Sequence, residues 1–76
     1  MITAEEAKKI FAKEGKVSFV VDEGAHFIAG IGLATDMKAK IGPTTYRAID
    51  KKTGKVTNYI PANMPAFMRL IQNKQV

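Results

Sequence analysis

Thr44-Thr45-Tyr46-Arg47-Ala48-Ile49-Asp50-Lys51-Lys52-Thr53-Gly54-Lys55-Val56-Thr57-Asn58-Tyr59-Ile60 reads as a chain folding back on itself. Two segments rich in β-branched and aromatic residues, Thr44 to Asp50 and Lys55 to Ile60, flank a polar run. Asp50 favours the start of a turn, and Gly54 can take the positive φ that closes it. With Lys51 to Gly54 as the loop, Asp50 opposes Lys55, Ile49 opposes Val56 and Tyr46 opposes Tyr59. That register joins opposite charges and places two aromatic side chains together on one face, and both pairings stabilise a ladder. A slip of one residue loses them all.

Upstream of this hairpin, Ala25 to Ala34 alternates Phe27, Ala29, Ile31 and Leu33 against His26, Ile28, Gly30 and Gly32. A strand is expected, with glycine baring one face for close approach. A helix is the competing reading, and two glycines so close together would each cost it about 1 kcal/mol. Lys16 to Asp22 is a further strand, with Val17, Phe19 and Val21 expected on one face, and Asp22-Glu23-Gly24 turns the chain between the two. Between Ala34 and the hairpin, Thr35 to Gly42 fits a single helical turn or an ordered loop.

Both ends read as amphipathic helices. Thr3 and Glu6 have the spacing of a capping box, so a helix is expected from Ala4, with Ile2 as a staple against Ala7 and a stripe of Ala7, Ile10 and Phe11. Gly15 is expected to supply a left-handed stop. After Pro61, Asn63 is a good cap, Pro65 is tolerated in the first turn, and Met64, Phe67, Met68 and Ile71 form an apolar stripe. The expected fold is therefore α+β, a single small domain over residues 1–76 in the order α-β-β-(turn)-β-β-α. Its sheet is mainly antiparallel, with the terminal helices packed on it.

Composition narrows the function classes. The chain has 76 residues and a net charge of +5, without any cysteine. Neither a disulfide framework nor a thiolate zinc site can reinforce so small a core, and stability has to come from packing or association. Zero cysteine fits a reducing compartment, and the acidic opening Thr3-Ala4-Glu5-Glu6 lacks the basic-then-apolar pattern of a leader, so a cytoplasmic location is expected. The longest mostly apolar stretch is Ala25 to Ala34, about half the ~20 residues of a membrane span. Charge is uneven: residues 1–35 carry four lysines and five acids, whereas residues 36–76 carry eight bases and two acids. A basic second half attracts nucleic acid, acidic proteins or anionic surfaces, and equally serves as a solubilising surface.

No residue cluster reaches a catalytic or cofactor signature. His26, the one histidine, follows a Gly-Ala turn at a strand start, where it could act as a general acid or base or simply be a boundary residue. Gly30-Ile31-Gly32 lacks the third glycine of a dinucleotide fingerprint, Thr35 standing there. One histidine and scattered carboxylates offer no metal-ligand spacing, and no cofactor is expected. Lys51, Lys52 and Lys55 at the hairpin tip, Lys38 and Lys40 before it, and Arg47 within it are candidate phosphate contacts. Tyr46 and Tyr59 are candidate stacking surfaces if their face is open.

The order of helix, strands and helix is similar in layout to double-stranded RNA-binding domains and to small HicA-type toxin ribonucleases. In the latter a histidine follows a Gly-small turn after the first strand, and Gly24-Ala25-His26 falls in a similar place. An additional strand and loop separate His26 from the hairpin, and the terminal helix carries only Arg69 and Lys74, so the similarity is of layout alone. The leading expectation is a non-catalytic binding or adaptor module acting through its sheet or hairpin surface. Its partner would be an acidic protein or a second copy, because exposed strand edges invite pairing. The alternative is an RNA-binding protein or small ribonuclease using His26, with nucleic acid as partner. Neither reading involves a membrane.

Overall fold

A computed structural model describes residues 1–32 and 44–76. The expected turn over residues 35–42, with Lys38 and Lys40, lies outside the described residues. The elements are α1 (Ala4–Ala12), β1 (Lys16–Asp22), β2 (His26–Gly32), β3 (Thr44–Asp50), β4 (Val56–Asn58) and α2 (Met64–Asn73). The four strands form one antiparallel sheet in the order β1-β2-β3-β4. The α+β fold with helices packed on an antiparallel sheet is thus as expected.

Local chemistry sets the boundaries. The Thr3 hydroxyl accepts from the Glu6 N–H while a Glu6 carboxylate oxygen accepts from the Thr3 N–H, so α1 opens on a complete capping box. Asn63 caps α2, its side-chain oxygen accepting from the Ala66 N–H at 3.1 Å. Ile49 pairs with Val56, Asp50 N–H donates to Lys55 O at 3.0 Å, and Tyr59 N–H donates to Tyr46 O at 3.0 Å, which is the expected register of the hairpin. Gly54, at φ 74°, closes its turn with an N–H donated to Asp50 O.

The sheet is covered on both faces, one helix to each. On the α1 face, Ala7 and Phe11 pack with Val20, Phe27, Ala29, Ile31 and Ile49, and Ile2 joins the same cluster. On the α2 face, Phe67 packs with Val21, Ile28 and Ala48, bordered by Phe19, Tyr46, Tyr59, Leu70 and Ile71. Burial on both faces explains why β2 reads Phe27-Ile28-Ala29 without a polar alternate. Each fully buried large side chain, such as Phe11, Ile28 or Ile49, stabilises the fold by about 1.5–3 kcal/mol.

Three local expectations are corrected. Val17, Phe19 and Val21 do not share a face. The pairing of β1 with β2 steps from Val17↔Ile31 to Phe19↔Gly30, leaving Ser18 as a bulge, so Val17 faces α1 while Phe19 and Val21 face α2. Gly15 has φ 156°, far from the roughly +57° of a left-handed cap. Its lack of a side chain serves close approach, since a Cβ there would lie 2.8 Å from both Gly32 O and Ile31 Cγ2. On α2, Met64 and Met68 are about half exposed, and the face that packs is Phe67, Leu70 and Ile71. Met64 and Met68 border the intended stripe, but the short helix lies on the sheet through the row beginning at Phe67.

The two edges of the sheet differ. Beyond α2 the chain returns along β1: Asp22 N–H donates to Lys74 O at 2.9 Å, Val76 N–H donates to Val20 O at 3.0 Å, and Gln75 bridges to Val21. No described residue pairs with the outer edge of β4.

Candidate functional site

Two regions gather the residues singled out from the sequence. The first is the end of the sheet where the β1–β2 and β3–β4 turns meet. Asp22 accepts from the Gly24 N–H at 2.8 Å to form the first turn, and Asp50 accepts from the Lys52 and Thr53 N–H groups to form the second. Backbone bonds join the turns to each other and to the N-terminus, Lys51 N–H donating to Ala25 O and Ile2 N–H donating to Lys51 O.

Lys51 does not project freely from this end. Its ammonium donates to Asp22 Oδ1 at 2.6 Å and stands 4.7 Å from the centre of the Phe27 ring, with the side chain only 12% exposed. The Lys51 ammonium and the Gly24 N–H together hold the Asp22 carboxyl below its ordinary value of 3.8. Asp50 is lowered as well, through the N–H groups of Thr53 and Lys52. His26 is 38% exposed, with Nδ1 3.5 Å from Glu23 Oε1 and Nε2 4.0 Å from Asp50 Oδ2. The second distance is too long for a hydrogen bond. Both ring nitrogens therefore face carboxylates of the same turns. Among the described residues, no group of three or more histidine or acidic side chains is placed to hold a metal ion.

The second region is the β4 side of the α2 face. Tyr46 and Tyr59 do lie opposite one another, and Phe67 from α2 lies against both, 4.9 Å from Tyr46 and 5.6 Å from Tyr59 between ring centres. Phe19 completes the aromatic group, 6.0 Å from Phe67 and 6.2 Å from Tyr46. These edge-to-face and tilted contacts add about 0.5–1.5 kcal/mol per pair beyond burial. The tyrosine pair thus seats α2 on the sheet and is half-buried there. Outside that seat, Tyr46, Tyr59, Ile60 and Pro61 line an open groove of about 360 Å³ beside Asn58.

Arg47 projects to the α1 side, where its Nε is 3.6 Å from Glu14 Oε1. Lys52 and Lys55 are exposed. Of the candidate phosphate contacts described, Lys51 and Arg47 are thus already partnered with acids, whereas Lys52 and Lys55 remain at the solvent surface. Ile60 is 86% exposed beside the groove, and Met64 and Met68 are about half exposed on α2. Sequence reasoning did not point to this surface, because Met64 and Met68 have the spacing of a core stripe.

No helix among the described residues is long and apolar enough to cross a membrane. Comparison with protein-family models, curated proteins and solved structures finds no match to this chain.

Proposed function

We propose that this chain is a non-catalytic binding module that takes up an extended segment along the outer edge of β4. The observation that carries this reading is the contrast between the two edges of the sheet: Val20 to Asp22 at the end of β1 are paired by Lys74 to Val76, whereas no described residue pairs with the outer edge of β4. An uncovered strand offers a row of backbone N–H and C=O groups to an incoming strand, and adjacent pockets read its side chains. Here the adjacent surface is the Tyr46–Tyr59–Ile60–Pro61 groove, mainly apolar with a polar rim at Thr45, Arg47 and Asn58. The exposed Lys52 and Lys55 favour a segment carrying acidic residues.

The backbone determines which groups are offered. Lys55 O and Tyr59 N–H point inward to β3, so by the alternation of an antiparallel ladder Thr57 also points inward, and Val56 and Asn58 point outward. RNA binding or cleavage through His26 and the hairpin lysines draws less support. Lys51 is engaged by Asp22, the tyrosines seat α2, and His26 is flanked by Glu23 and Asp50.

The test is a titration of the isotopically labelled protein with an extended peptide of alternating Glu and Val, followed by amide chemical shifts, in parallel with a single-stranded RNA. Peptide-induced shifts centred on Val56, Asn58 and Tyr59 support the reading. Shifts confined to His26, Lys51 and Lys52 with RNA, and none at β4 with peptide, would replace it with the nucleic-acid reading.

A further inference from the structure

The geometry points to a second copy of this chain as an occupant of the β4 edge, paired antiparallel about a two-fold axis through Thr57. This rests on the reading of β4 as a strand-accepting edge and specifies the partner. The outward-facing residues of β4 are Val56 and Asn58, separated by one inward-facing residue. An antiparallel pair bonds outward-facing residues to outward-facing residues. A two-fold axis at Thr57 therefore sets Val56 of each copy against Asn58 of the other, so that every outward N–H and C=O of the strand finds a partner at once. An axis midway between two residues would face outward groups with inward ones, and an axis on Val56 or Asn58 would carry the pairing beyond the three-residue strand to Gly54 or Ile60.

The side chains in this register are self-complementary. Lys55, Thr57 and Tyr59 lie on the α2 face, being cross-strand partners of Asp50, Ala48 and Tyr46. At the axis Thr57 meets its own copy in the close, non-bonded position, a favourable threonine pair. Two residues away on either side, the exposed Lys55 ammonium of one copy comes opposite the half-buried Tyr59 ring of the other, within reach of a cation–π contact. On the opposite face, Val56 meets Asn58, and no like charges are set directly opposite.

The extent of the interface sets its strength. β4 is only three residues long and is followed by Pro61, so pairing is brief and the buried area falls below the about 1,200 Å² of a standard interface. The association is reversible and weak. It is also closed by symmetry: each copy spends the β4 edge that no described residue pairs, and Val20 to Asp22 on the far edge are taken by Lys74 to Val76, so the product is one continuous sheet of two copies and not a filament. A net charge of +5 on each copy opposes the encounter, so added salt strengthens it.

Sedimentation equilibrium of the full chain up to about 1 mM, at low and high salt, tests this directly. A monomer–dimer equilibrium that tightens with salt is expected. Asn58→Pro deletes an outward N–H without touching the β3–β4 ladder, and is expected to weaken dimerisation about ten-fold or more while leaving the thermal unfolding midpoint close to that of the parent. Lys55→Glu, set opposite Tyr59, is expected to weaken it by a smaller factor at high salt, where the general repulsion between copies is screened. A chain that stays monomeric throughout, or a dimer unaffected by Asn58→Pro, or growth to larger assemblies overturns the self-pairing. If the monomeric chain still shifts at Val56 and Asn58 with the alternating Glu–Val peptide, the strand-accepting reading stands without it. If no such shift occurs either, both fall.

Discussion

Lys51 Nζ donates to Asp22 Oδ1 at 2.6 Å, and so ties the β3–β4 turn to the end of β1, across the β2 strand that lies between them. The lysine ammonium stands 4.7 Å from the centre of the Phe27 ring, which excludes water from one side of the pair. The carboxylate is still 39% exposed, so the Coulombic gain is partly screened. A double-mutant cycle on Asp22→Ala and Lys51→Met, which retains the stem, is expected to give a coupling energy of about 0.5–1 kcal/mol by urea denaturation. A coupling indistinguishable from zero would show that backbone bonds alone hold the two turns together.

Stability is expected to fall in acid for a specific reason. Asp22 and Asp50 both ionise more readily in the folded chain than their ordinary value of 3.8, the first through Lys51 and the second through the Thr53 and Lys52 N–H groups. A carboxyl lowered on folding contributes stability that is present above its unfolded value and lost as pH falls through its folded one. The contribution of these two groups is therefore constant above about pH 5 and declines below about pH 4. Urea melts across that range should show it, and carboxyl NMR of Lys51→Met should find Asp22 titrating closer to 3.8 while Asp50 is unchanged.

Phe67 is the buried residue of α2 and touches Phe19, Tyr46 and Tyr59. Phe67→Ala is expected to cost about 3–5 kcal/mol, a large part of the stability of a chain this small. Met68→Ala, one position along on the exposed side, is expected to cost under about 1 kcal/mol. Urea denaturation with tyrosine fluorescence separates the two, and equal losses would mean that α2 packs through a different face.

The contrast between Phe67 and Met68 shows how far the sequence was legible. The hairpin register could be read because Asp50, Gly54 and the two tyrosines are close in sequence, and one alignment satisfies them all. The capping box at Thr3 is local in the same way. The bulge at Ser18 is not, because Val17, Ser18 and Phe19 alternate as a regular strand would, and the step arises where Phe19 meets Gly30 of another strand. Its faint trace is the adjacent pair Val20-Val21, which needs a sheet covered on both faces. That no described residue pairs with the outer edge of β4 follows from tertiary placement, and so does the pairing of Lys51 with an acid 29 residues away. Neither leaves a local signal.

Gly30 and Gly32 look equivalent in the sequence, and the structure separates them. The Phe19 ring lies across Gly30, so that a Cβ there would come 2.8 Å from Cζ and closer still to Cε2. A Cβ at Gly32 would have Lys16 O, at 3.8 Å, as its nearest neighbour. Gly30→Ala forces the ring off Gly30 and disturbs its contacts with Tyr46 and Phe67, so it is expected to cost about 1–3 kcal/mol. Gly32→Ala is expected to be neutral or slightly stabilising, since it restricts the unfolded chain without a clash. Replacing Phe19 with Leu in the Gly30→Ala background removes the opposing ring and should make the two substitutions less than additive. Strict additivity in urea denaturation would mean that the ring and the glycine are not in contact.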